Sequence, residues 1–277
     1  MTIYSSKYRC NITIFRALFI LLMQAQEYRW QIWLAIKKKI DATYKQDVYG
    51  LFWSIVMPIV PMTVYMLLAH IKVFKTVEDM PFVYYIAMGM LVWLLMSTTI
   101  HTILKSIKSE KAILTTSTFP IFPMILSRLG AVLHDTGIRF IVLGLIVIWY
   151  QLDITLGSLI LALFSLLPAI IFALGLGMLL TILDLVVQDT RRIVVLVLRY
   201  GLFMSSVIFP FPEDGWAGTI NSFNFFNTYV NTTRDILYYG HMKNLDLYIY
   251  TSIAGLIIFL FACKLIYSMD FKIREYL

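Results

Sequence analysis

ITLGSLILALFSLLPAIIFALGLGMLLTIL, residues Ile154–Leu183, is a run of thirty residues without a single charge. About twenty apolar residues in helical conformation cross the hydrocarbon core of a bilayer, so the run reads as a transmembrane helix. It is longer than one upright crossing, and it must tilt, bend at Pro168 or project beyond the bilayer. The remainder of the chain is of the same kind. Of its 277 residues, 60% are hydrophobic and 14% charged, and the mean hydropathy is +0.80. An ordinary soluble domain has roughly 45–50% apolar and about 25% charged residues. The composition excludes a soluble globular domain, a disordered chain and a disulfide scaffold. The two cysteines, Cys10 and Cys263, sit at opposite ends and read as apolar fillers, not as a bridge or a metal site.

Outward from that run, five further spans are expected: about Val48–Ala69, kinked by Pro58 and Pro61; Pro81–Leu104; Ile121–Tyr150; Ile193–Phe209; and Leu247–Tyr267. Pro210 to Asp246 is polar and aromatic, too polar to cross unaided. Near the start, Arg9, Thr13, Arg16, Gln24, Glu27 and Gln31 recur on one helical face, and Phe15, Phe19, Leu22 and Met23 lie away from it. That pattern is an amphipathic helix lying in the membrane interface. Arg16 and the cluster Lys37-Lys38-Lys39 behind it suit anionic lipid headgroups. The expected fold is an all-α membrane protein: a cytoplasmic interface segment over residues 1–47 and a six-helix transmembrane domain over 48–277.

Six spans put both termini on one side, and the basic residues say which. Sixteen Lys and Arg fall on the side of the termini, four on the other, and three (Arg128, Arg139 and Arg199) within spans. Basic residues accumulate in cytoplasmic loops, so both termini are placed in the cytoplasm. The net charge of +7 reflects the same loops and not a nucleic-acid partner.

Few residues offer chemistry. Neither G-x-x-x-x-G-K-S/T nor G-x-G-x-x-G occurs, so no familiar nucleotide site is present. His134-Asp135 is the one pair that suggests an intramembrane enzyme, but adjacent helical residues point about 100° apart. Asp135 and Arg139 are four apart and Arg128 shares their face, which reads as a charge-compensated seam between helices. No catalytic residue and no metal ligand is assigned. Aromatic side chains interleaved with Ser, Thr and Asn around Trp216–Tyr239 would suit the apolar faces and hydroxyls of a sugar. Between the second and third spans, Ser109–Thr115 reads as a short cytoplasmic helix capped by Ser109. Ile113 and Leu114, adjacent and apolar, would be exposed on it as a docking surface.

The order of these parts resembles the permease subunit of an ABC-2 type exporter, of the polysaccharide class that includes O-antigen, capsule and teichoic-acid permeases. The resemblance rests on Tyr44-Lys45, Gly50, Trp53 and Pro58 ahead of and within the first span. It continues with Ile113-Leu114 and Phe119-Pro120 after the second, Gln188-Asp189 after the fourth, Ser206 and Pro210 at the end of the fifth, and Asn224, Arg234 and Gly240 beyond. Thr115-Thr116, Ile121, Gln188 and Phe225 depart from the family's usual residues at their positions. The resemblance implies a homodimer paired with two copies of a separate ATP-binding subunit, which binds the ATP and Mg; no cofactor is implied in this chain. It implies a coupling helix at about residues 106–118, with Ile113, Leu114 and Asp189 meeting the ATPase, and re-entrant gate helices over about 210–246. Trp53, Tyr65, Ser206, Phe209 and Trp216 are the expected substrate path. The implied cargo is a lipid-linked glycan moved across the cytoplasmic (inner) membrane. The rival readings are an exporter of a small molecule or drug, whose path would be mainly apolar, and an enzyme using His134.

Overall fold

A computed structural model of the chain describes residues 12–46, 80–210 and 215–276, with scattered positions between 56 and 71. All regular elements among them are helical: α1 (Ile14–Glu27), α2 (Arg29–Gln46), α3 (Phe82–Leu104), α4 (Ser106–Ser109), α5 (Lys111–Thr116), α6 (Ile121–Trp149), α7 (Leu156–Val186), α8 (Thr190–Gly201), α9 (Gly215–Ser222), α10 (Phe225–Tyr239) and α11 (Leu245–Tyr276). Four of these, α3, α6, α7 and α11, are long and apolar enough to cross a membrane. Their limits agree with the second, third, fourth and sixth expected spans to within a few residues, apart from the long C-terminal extension of α11. The thirty-residue run became α7, capped by Thr155, whose Oγ1 accepts from Ser158 N, and carrying Pro168 within it.

Of the other two expected spans, one is not described and one differs. Val48–Ala69 lies largely outside the described residues, and Trp53 with it. The fifth, Ile193–Phe209, is replaced by α8, a helix of twelve residues, and a single 3-10 turn at Leu202–Met204. Twelve residues rise about 18 Å, short of the roughly 30 Å of hydrocarbon. The helix stops because other groups take the carbonyls that would continue it. Asn224 Nδ2 donates to Met204 O at 2.9 Å, and Tyr85 Oη and Arg234 Nη2 both donate to Ser206 O, at 2.9 and 2.8 Å. Ser206 itself sits at φ +48°, in the left-handed region that a non-glycine residue seldom occupies.

α3 is the hub. It packs against α6, α7 and α10, and its buried face runs from Tyr84 to Leu104. α7 lies against α3, α11 and α10, and α1 and α2 lie against α11 and α6. Close approach of α7 to α11 depends on Gly175, where a Cβ would stand 2.6 Å from Phe259 Cα. Ala17 and Leu21 of α1 face the core, and Phe15, Phe19, Leu22 and Met23 are exposed, the apolar face expected of an interface helix. α10 starts at Asn224, whose Oδ1 accepts from Phe226 N and Asn227 N, and ends at Gly240 with φ +78°. Asn224, Arg234 and Gly240, three of the positions behind the family resemblance, are thus the cap, the buried cation and the terminator of one helix.

Candidate functional site

The connection between α3 and α6 is two short helices, α4 and α5, and not one helix capped by Ser109. Ser109 closes α4, its Oγ donating to Lys105 O at 2.8 Å, and Glu110 precedes α5. Two buried or half-buried carboxylates clamp this segment. Glu110 Oε1 lies 2.7 Å from Arg128 Nη2 of α6 and 3.8 Å from Lys39 Nζ of α2. Asp184 Oδ2, at the end of α7, lies 2.9 Å from Lys108 Nζ and 3.1 Å from Arg191 Nη2 of α8. A third clamp comes from α11: Arg274 Nη1 donates to Leu114 O at 3.0 Å and Ser117 O at 2.9 Å, and its Nη2 to Phe119 O. A guanidinium over the last carbonyls of α5 satisfies groups that the helix itself cannot. Four other helices (α2, α6, α7 and α11) therefore hold the α4–α5 segment, and α8 joins them through the shared Asp184.

Several expectations are corrected by this cluster. Leu114 is 2% exposed and packs with Ile107, Ile121, Phe122 and Ile273, so it belongs to the core; Ile113, at 47%, faces outward with Lys111, Ala112, Thr115 and Thr116. Arg128 leaves the expected seam with Asp135 and Arg139 because Glu110 and Ser109 take its guanidinium. No ion pair joins Asp135 to Arg139: Asp135 Oδ1 lies 3.5 Å from His134 Nδ1, and Arg139 Nη1 is buried without a hydrogen-bond partner beside Leu91 and Leu143. Both His134 and Asp135 are well exposed. Lys37 and Lys38 are exposed as a headgroup surface needs, and so is Arg16, but Lys39 turns inward to Glu110. Burial and the Arg128 charge pull the Lys39 ammonium down to about 8, partly opposed by Glu110. Asp189 is exposed and pairs with Arg192 at 3.2 Å.

Among the described residues, the expected path side chains Tyr65, Ser206, Phe209 and Trp216 are not brought together. Tyr65 stacks edge-on to Phe203 with ring centroids 6.4 Å apart; Ser206 is buried beneath Tyr85 and Arg234; Phe209 is half-buried; Trp216 is 80% exposed on α9. An open groove of about 310 Å³ runs between α3 and α8, lined by Ser97, Thr98, His101, Val195, Leu198 and Arg199.

At the end of the molecule remote from α4–α5, sequence reasoning missed the group that organises the polar segment. Arg234, one of the four basic residues (with Lys72, Lys75 and Lys243) that the charge count places on the side opposite the termini, is 2% exposed. Its guanidinium lies 3.6 Å over the Tyr85 ring, donates to Ser206 O, and through Nη1 reaches Asn231 Oδ1 at 3.0 Å. Gly89 makes room for it, since a Cβ there would stand 2.5 Å from Nη2. The signal was the apolar spacing of Tyr229, Val230, Thr233, Ile236 and Leu237, which places position 234 on the inward side of α10. Beside it, α9, α10 and the start of α11 enclose a pocket of about 170 Å³ whose walls are mostly carboxamides and hydroxyls. Among the described residues no cluster of His, Cys, Asp and Glu could hold a metal.

No curated protein matches the chain. The model of the family described as ABC-2 type transporter matches residues 30–238, from α2 through the α4–α5 segment to the end of α10. The match covers three quarters of the sequence and takes in every clamp described above except that of Arg274, and on it the chain belongs to the ABC-2 type transporter family.

Proposed function

We propose that this chain is the membrane subunit of an ATP-driven exporter of a lipid-linked surface polysaccharide, acting in the cytoplasmic membrane as a homodimer with two copies of a separate ATP-binding subunit. Membership of the family supports the transport role and the separate ATPase in general. The observation that carries the coupling is the way α4–α5 is held: Glu110, Asp184 and Arg274 lock it to four helices, with α8 tied in through Asp184, and leave Ile113 pointing outward. A push on Ile113 would be delivered to α6, α7, α8 and α11 together, because buried charge-assisted contacts are stiff. Both termini are cytoplasmic in this reading, with Lys37 and Lys38 on the headgroups. The two helices α9 and α10 act as gate helices on the far side, and their hydroxyl and carboxamide surface favours a glycan over an apolar drug.

Ile113→Asp tests it. The residue is exposed and outside the spans, so membrane insertion should be retained, while co-purification of the ATP-binding subunit and surface glycan should both be lost. Deleting the chain should likewise remove the glycan from the cell surface. A deletion strain with its full complement of surface polysaccharide, or an Ile113→Asp protein that retains its ATPase and exports normally, would defeat the reading.

A further inference from the structure

The pocket at the remote end has a donor and acceptor pattern that can be read from its own hydrogen bonds. Arg234 can only donate, so the atom of Asn231 facing it at 3.0 Å is the carbonyl oxygen. That turns the Asn231 amide nitrogen to Asn227 Oδ1, 3.1 Å away. With its oxygen so engaged, Asn227 presents its NH2 group to the pocket. Asn221 of α9, another residue of the lining, is 8% exposed and has its Oδ1 buried without a hydrogen-bond partner. A buried acceptor left unpaired costs about 1–3 kcal/mol, and a native structure keeps one where something else satisfies it. The hydroxyls of Thr228 and Thr232 and the carboxylate of Asp235 share the lining, while Leu247 and Gly218 give a small apolar contact.

This combination selects among ligand classes. The described lining holds no Lys, Arg or His, and its polar groups are mostly neutral amides and hydroxyls, a set that suits a neutral ligand better than an anion such as phosphate. A single carboxylate among neutral amides is a poor seat for a bare divalent cation, which prefers several charged oxygens. A neutral polyol meets every requirement, because each hydroxyl both donates and accepts and the C–H faces tolerate Leu247. A volume of about 170 Å³ is below the roughly 300–1,000 Å³ of sites for drug-sized ligands and suits a small ligand. We propose that this pocket binds one neutral hexose unit, hydrogen-bonded between Asn221 and Asn227. The glycan identity of the cargo rests on the proposed function; the hexose specificity rests on the pocket alone. Occupancy would also be felt elsewhere: Asn227, Asn231 and Arg234 form a continuous chain from the ligand to Ser206, where α8 ends.

The full chain, purified in detergent, is tested by saturation-transfer NMR against glucose, galactose and N-acetylglucosamine, with inorganic phosphate and calcium as separate arms. At least one hexose is expected to bind and both ions to fail. Asn221→Leu removes the unpaired acceptor and should weaken hexose binding about tenfold or more, without lowering the melting temperature. Thr232→Val, of nearly equal shape, is the second variant and should weaken binding in the same direction. Absence of hexose binding by the unaltered chain, undiminished binding by both variants, or binding of phosphate or calcium in place of hexose would overturn the assignment. Those results would leave the proposed function standing wherever deletion of the chain abolishes surface glycan; a deletion strain that keeps its glycan, with hexose still bound, would remove the function and spare the pocket.

Discussion

Two aspartates placed near cations behave differently, and the difference is measurable. Asp184 is buried between Lys108 and Arg191, and both partners are about one-third exposed. Asp184→Ala leaves two like charges facing each other over a buried gap, and should cost roughly 2–3 kcal/mol after allowing for solvent screening of the partners. Asp135 is half-exposed and lies within ion-pair distance of no arginine, although its charge still favours the Arg139 guanidinium, so Asp135→Ala should cost less than about 1 kcal/mol. Thermal unfolding of the two variants in one detergent decides it: equal losses would mean that the clamp is ornamental. Lys39 supplies a pH signature. Its folded value lies near 8, below the ordinary 10.5, so the folded protein releases this proton before the unfolded chain does. The contribution of Lys39 to stability is therefore smallest below about pH 8 and grows as pH rises from about 8 toward 10.5. Its labelling by an amine reagent, followed by mass spectrometry, should reach half its limiting rate near pH 8. Glu110→Gln removes the charge that holds the value up and should move that midpoint lower; a midpoint that rises would show that Glu110 is not its neighbour. None of these pairings was legible in sequence. The (i, i+4) spacing of Asp135 and Arg139 is real, but Glu110, eighteen positions before Arg128, decided which arginine was compensated. Ile113 and Leu114 are likewise indistinguishable by composition; only the closure of α5 against Ile121 and Ile273 separates them.

At the scale of elements, most of the architecture could be read from runs of apolar residues, because a helix that crosses lipid must satisfy its backbone internally and needs little from elsewhere. α8 is the exception for the same reason. Its end depends on Asn224, Tyr85 and Arg234, donors distant in sequence, so hydropathy alone extended it to Phe209. Packing between elements turns on glycine. Gly175 of α7 and Gly255 of α11 face each other's helices, the first against the Phe259 backbone and the second with a Cβ position 3.0 Å from Phe172 Cβ. In lipid there is little hydrophobic drive between helices, and close approach at small residues supplies the contact. Gly175→Ala should push α7 from α11 and cost about 1–3 kcal/mol, lowering the yield of folded protein. Gly144→Ala on α6, where a Cβ meets nothing within 4 Å, should be neutral or slightly stabilising. Fluorescence-detected size exclusion of the two variants makes the comparison. A Gly175→Ala protein that behaves like Gly144→Ala would mean that the α7–α11 crossing adjusts freely.

For the whole molecule, the open question of physics is what covers α8. Its Ile193, Leu196, Val197 and Tyr200 are exposed, and Phe203 and Met204 continue that surface onto the irregular turn. Exposed apolar side chains alone would suit lipid. Arg199 on the same helix is exposed too and makes no ion pair among the described residues, and a lone guanidinium toward hydrocarbon is costly. The turn from Leu202 to Ser206 adds a second objection, since irregular backbone at membrane depth persists only where protein or a water-filled path adjoins it. Arg234, Tyr85 and Asn224 shield that turn from one side and the Tyr65 ring lies edge-on to Phe203 within it, while among the described residues Met204 is left exposed on the other. A second copy meeting the first across α8 would cover the apolar residues and the turn and leave Arg199 on a hydrated central groove with His101. Leu196→Cys, in a chain with Cys10→Ser and Cys263→Ala, should then form a disulfide-linked dimer in membranes under mild oxidant. Ile148→Cys, exposed on α6, a helix that does not pack on α8, should remain monomeric under the same conditions. Efficient crosslinking through Ile148 and none through Leu196 would place the interface on α6 and leave the broken helix to be shielded by something other than its own copy.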